Sequence, residues 1–83
     1  MYWIYALYNK EKNKIYIGQT DDLNERLSAH KDGRFKRSFT AKNRGEWELI
    51  YTEEASDRVE ALRREKQLKS YQGRVFVKSH IPR

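Results

Sequence analysis

Eighty-three residues with an apolar fraction of 37% predict one domain, spanning residues 1–83, with a small core. The absence of cysteine excludes a disulfide framework and a thiolate metal site, and two histidines are too few for a structural zinc centre. A net charge of +6 and a pI near 9.7 point toward an anionic partner.

Residues 2–8, "YWIYALY", are rich in β-branched and aromatic types and predict a strand. Period two places Trp3, Tyr5 and Leu7 on one face and Tyr2, Ile4, Ala6 and Tyr8 on the other. Both faces are apolar, so the strand is expected at the centre of a sheet. The run is too short to span a membrane and carries neither a basic leader nor a signal-like cleavage site, which makes the cytoplasm the expected compartment. "NKEKN", residues 9–13, predicts a polar hairpin loop with asparagine at each end. "KIYIG", residues 14–18, follows as the antiparallel partner, with Gly18 closing it for a turn or for the close approach of a ligand.

Asp21 or Asp22 then caps a helix running to about Lys31, with Asp22 and Glu25 spaced as a capping box and Gly33 as a stop. Residues 31–44, "KDGRFKRSFTAKNR", hold Lys31, Arg34, Lys36, Arg37, Lys42 and Arg44 against the single acid Asp32. This stretch accounts for +5 of the total +6, with Phe35 and Phe39 interleaved. Cations alternating with rings suit a surface that follows phosphates and stacks on bases. The same stretch also reads as a solvated loop whose two phenylalanines tuck into the core.

"EWELIYT", residues 46–52, alternates as a third strand, with Trp47, Leu49 and Tyr51 against Glu48, Ile50 and Thr52. Ser56 or Asp57 begins a second helix to about Ser70, again with a capping box, Asp57 and Glu60. Val75, Phe76 and Val77 have strand propensity, but their segment reads equally well as a short helix. The order strand, strand, helix, strand, helix, tail predicts a small α+β domain.

The helical wheels raise the functional question. At about 100° per residue, Leu27 lies about 40° from Leu23, with His30 about 20° and Arg26 about 60° to the other side. Arg26 and His30 therefore border the leucine stripe that faces the sheet. One reading has Arg26 snorkelling outward over the leucines while His30 is an ordinary half-buried ring. On the second helix, Glu65 falls inside the sector shared by Ala61, Leu62 and Leu68. An inward carboxylate is costly unless it is paired, with Lys69 or Arg26 here, or binds a metal.

An inward arginine, an inward glutamate and strand tyrosines together describe a polar pocket on the sheet. One carboxylate suffices for one Mg²⁺, which retains waters and borrows phosphate oxygens. Arginine is the bidentate partner of phosphate, and a tyrosine hydroxyl beside a cation can serve as general base. With the basic stretch, this chemistry points to phosphodiester hydrolysis.

"WIY" at 3–5 followed by "YIG" at 16–18 resembles the paired motif of the GIY-YIG nuclease superfamily. "YIGQTDDLNERLSAHKDG", "WELIYTE" and "EALRREKQLKS" followed by "GR" extend the resemblance, in order, to its small stand-alone excinuclease-subunit-like members. The resemblance implies a three-stranded antiparallel sheet flanked by helices, with a helical tail from about Gln72. It also implies a Mg²⁺- or Mn²⁺-dependent DNA endonuclease using a single ion. Tyr5 and Tyr16 would line the site, Arg26 would contact phosphate, His30 would assist at the phosphate or leaving group, and Glu65 would hold the metal. Branched, nicked or single-stranded DNA is the implied substrate, as in DNA repair, with RNA not excluded and sequence specificity not expected. Three departures stand out: Trp3 replaces the first motif's glycine, Gln19 occupies a position where some relatives have lysine, and no asparagine follows Asn43.

Overall fold

The structure, a computed structural model, describes residues 1–31 and 47–82, without the side chains of residues 29–31. Three strands form one antiparallel sheet: β1 (Tyr2–Asn9), β2 (Lys14–Thr20) and β3 (Trp47–Ala55), in the order β2-β1-β3. β1 occupies the centre, as its two apolar faces require. Among the described residues the helices are α1 (Leu23–Lys31), α2 (Arg58–Leu68) and α3 (Tyr71–Lys78). The expected α+β architecture is the observed one.

The β1–β2 turn is built by its asparagines. Asn9 is fully buried and accepts from the Lys12 backbone N–H at 3.0 Å, while Asn13 takes the left-handed conformation, φ 52°, that asparagine tolerates. β2 continues past Gly18 to Thr20, so that glycine does not close the strand.

One face of the sheet carries the core. Ile4, Ala6 and Ile17 pack there with Ala61 and Leu68 of α2 and Val77 of α3, all at most 4% exposed. Asp57 caps α2, accepting from the Glu60 N–H at 2.9 Å, and Asp22 does the same for α1 with Glu25 at 3.1 Å. Leu62 departs from expectation: it lies 43% exposed, because the buried stripe of α2 runs along Ala61 and Leu68 and leaves Leu62 on its outer flank.

The alternation predicted for β3 also fails part-way. Ala6 pairs with Tyr51 but Leu7 pairs with Leu49, leaving Ile50 as the extra residue of a β-bulge. Ile50 and Tyr51 consequently both pack against the core, whereas Leu49 stands on the opposite face from Tyr51.

The tail is helical from Tyr71. Ser70 ends the preceding helix in an extended conformation and caps the next, accepting from the Gly73 N–H at 3.2 Å and donating to the Gln67 carbonyl at 2.6 Å. Gly73 is required by the tightness of this corner. A Cβ there would sit 2.5 Å from the Leu68 Cα and collide with the Gln67 carbonyl oxygen. Capping and the burial of Val77 against the core override the strand propensity of the Val-Phe-Val run.

Candidate active site

Cross-strand pairing sets the tyrosines. Tyr5 of β1 pairs with Gly18 of β2, and Leu7 pairs with Tyr16, so Tyr5 and Tyr16 stand diagonally on the face away from the apolar core. Their ring centroids are 6.1 Å apart at 42°. Gly18 makes this possible: a Cβ at position 18 would lie 2.8 Å from Tyr5 Oη and 3.0 Å from Tyr16 Cε1. The close approach that this glycine permits is that of the Tyr5 ring, which lies across it.

Tyr5 is 1% exposed, while Tyr16 is only half-buried. Burial pushes the Tyr5 phenol well above the ordinary value for tyrosine, the charge of Tyr16 and a side-chain hydrogen bond with it add to the rise, Arg26 opposes it, and Glu65 adds to it. Two conclusions follow. Tyr5 holds its phenolic proton more tightly than an ordinary tyrosine. The charges of Arg26, from α1, and Glu65, from α2, both reach the same hydroxyl, so four elements contribute to one locus.

Arg26 is half-buried and is set in the first turn of α1 by its backbone bond to the Asp22 carbonyl at 3.0 Å. Glu65 has a side chain 20% exposed and lies on the flank of the buried stripe, not at its middle. Its Oε2 accepts from Lys69 Nζ at 3.2 Å, one of the two pairings expected from the sequence. No group of three or more His, Cys, Asp or Glu is gathered among the described residues, so a cation here would have Glu65 as its protein carboxylate. A half-buried carboxylate with one oxygen bonded to a solvated ammonium fits a hydrated Mg²⁺ that draws its remaining ligands from water and phosphate.

His30 belongs to α1 by its backbone, and its side chain lies outside the description. So do the side chain of Lys31 and all of Arg34, Lys36, Arg37, Lys42 and Arg44. Gln19 pairs with Ile4, on the face opposite the tyrosines, so its position does not serve them. The residue that sequence reasoning missed is Arg74, which lines a cavity with Tyr16 and Lys69. Its one clue was the cation-bearing "GR" that follows α2 in the sequence.

The profile of the GIY-YIG catalytic domain matches residues 1–77 of the chain. The chain belongs to the GIY-YIG family. This is a family of nucleases, whose substrates are nucleic acids. Among GIY-YIG relatives, the UPF0213 protein of Cronobacter sakazakii is 33% identical over 67 residues, covering 81% of this chain and 68% of its own. The UPF0213 protein YhbQ of Escherichia coli is likewise 33% identical over 67 residues, covering 81% and 65%. The chain therefore spans about two thirds of the length of these relatives. The solution NMR structure of the UPF0213 protein BH0048 from Bacillus halodurans superposes with a TM-score of 0.55 at 28% identity, over 95% of this chain and 84% of that one. The GIY-YIG fold thus agrees in sequence and in architecture. No described helix is long and apolar enough to cross a membrane.

Proposed function

We propose that the protein is a metal-dependent DNA endonuclease that hydrolyses phosphodiester bonds with one Mg²⁺ or Mn²⁺ ion, selecting nucleic-acid structure rather than sequence. The observation that carries this reading is the convergence of Arg26 and Glu65 on a buried Tyr5 that is hydrogen-bonded to Tyr16. Tyr16, the more accessible of the two, takes the proton of the attacking water as its own phenolic proton passes to solvent. Tyr5 stays protonated and orients Tyr16 through their hydrogen bond. Arg26 stabilises charge on the phosphate as it accumulates, and His30 assists at the phosphate or leaving group. Glu65 holds the cation, which when bound supplies Lewis-acid polarisation of a phosphate oxygen. Lys31, Arg34, Lys36, Arg37, Lys42 and Arg44 bind the backbone of branched, nicked or single-stranded DNA. Phosphate contacts carry no sequence information, which is why structure is the selected property.

One observation favours a second reading, a nucleic-acid-binding module without cleavage: Glu65 is already paired with Lys69. Replacing Glu65 with glutamine separates the two. Lys69 is 48% exposed, so the ammonium left behind stays solvated and the melting temperature should change little. Nicking of supercoiled plasmid in Mg²⁺ or Mn²⁺ should fall by at least about a hundredfold, the scale of losing a major electrostatic group, while DNA binding persists. Wild-type protein that binds DNA but nicks nothing with either ion, and equally nothing with chelator, would establish the second reading instead.

A further inference from the structure

Beside Tyr16 lies an open cavity of about 210 Å³ walled by Ile15, Tyr16, Ile17, Lys69 and Arg74. It forms where the edge strand β2 meets the corner between α2 and α3. Its lining contains two cations and no carboxylate. Arg74 Nε donates to the Lys69 backbone carbonyl at 3.0 Å, which fixes the guanidinium while its two Nη groups make no hydrogen bond to described residues. That leaves free the edge of the fork that matches two phosphate oxygens. Lys69 Nζ, 3.2 Å from Glu65 Oε2, connects this cavity to the carboxylate that acts on Tyr5. One turn before Arg74 in α3, Tyr71 is 84% exposed. Cations next to an exposed ring suit a nucleotide strand better than a bare anion.

We propose that this cavity receives a backbone phosphate of the nucleic-acid strand, next along the chain from the one that reacts at Tyr16, with Arg74 as its principal contact and Lys69 as its second. The proposal rests on the nuclease reading for the identity of the strand. A competing role for Arg74 is purely internal, holding the α2–α3 corner through the Lys69 carbonyl.

Arg74→Gln separates these roles, since glutamine keeps a donor for that carbonyl but loses the charge, and Arg74→Lys keeps the charge. Binding of a short fluorescein-labelled single strand, followed by anisotropy in chelator across a salt series, needs no catalysis. Arg74→Gln should weaken binding about five- to tenfold near physiological salt and reduce the slope of log affinity against log salt by about one phosphate contact, and Arg74→Lys should restore the slope. An unchanged slope in Arg74→Gln, with or without a lowered melting temperature, overturns the proposal, as does a loss in Arg74→Lys equal to that in Arg74→Gln. Inorganic phosphate that displaces the strand from wild type where chloride at equal ionic strength does not would overturn the strand assignment in favour of a free anion. If wild type proves unable to nick while the slope still depends on Arg74, the nuclease reading falls and the phosphate site stands.

Discussion

The two faces of the sheet use the same strands in opposite ways. On the helix side, Ile4, Ala6 and Ile17 meet Ala61, Leu68 and Val77, and every group is apolar. On the other side, the equally buried Tyr5 carries a hydroxyl influenced by Arg26 and Glu65. A fully buried aliphatic side chain contributes about 1.5–3 kcal/mol to folding, whereas burying a hydroxyl is favourable only when it is hydrogen-bonded. The helix side supports the fold, and the tyrosine side carries the buried polar group. Each face has its own glycine: Gly73 lets α3 turn closely over the end of α2, and Gly18 gives the Tyr5 ring its place.

Alanine at these two glycines tests that division. Gly73→Ala should have the larger effect on folding, about 3 kcal/mol, because the new methyl meets backbone that cannot swing away, and thermal melting measures it. Gly18→Ala meets the end of a side chain instead, so stability should fall by only about 1–2 kcal/mol. Yet displacing the Tyr5 ring should lower metal-dependent nicking by about tenfold or more, since small misplacements at a reacting centre are costly. Equal effects of the two substitutions on melting, with nicking retained in Gly18→Ala, would break the contrast.

The smallest effect concerns the rim of the helix side. Burial pushes the Glu53 carboxyl up, but hydrogen bonds from Arg64, at 2.7 Å, and Tyr51, with the Arg64 charge, outweigh it and hold the group below its ordinary value near 4.5. A carboxylate depressed in the folded state stabilises above its unfolded value, and that stabilisation is lost as pH falls through the lower folded one. Melting temperature should therefore decline on acidification below about pH 4.5, and Glu53→Gln should flatten the decline. The partly exposed pair limits the effect to about 1 kcal/mol or less.

Much of this was legible in the sequence because it depends on local signals. The two apolar faces of "YWIYALY" placed β1 centrally, and Asp22 and Asp57 marked both caps. The wheels turned Arg26 and Glu65 toward the sheet, although Glu65 sits at the margin of the buried stripe and Leu62 outside it. What was illegible depends on partners. The bulge at Ile50 exists only relative to β1, so the clean alternation of "EWELIYT" misled. The role of Gly18 requires knowing that Tyr5 lies across from it. Arg74 reads as a solvated cation until α3 folds back and brings it to β2 beside Tyr16.

The bulge has a bearing on how these molecules behave in a crowd. β3 is nine residues long, and among the described residues no strand pairs with its outer edge. A straight strand of that length is an open template on which a second molecule can add and begin an aggregate. The extra residue at Ile50 bends and twists β3 part-way along, and Glu48, Glu53 and Glu54 set like charges against an identical strand approaching it. Irregularities and like charges of this kind disfavour the pairing of an edge strand with its own copies.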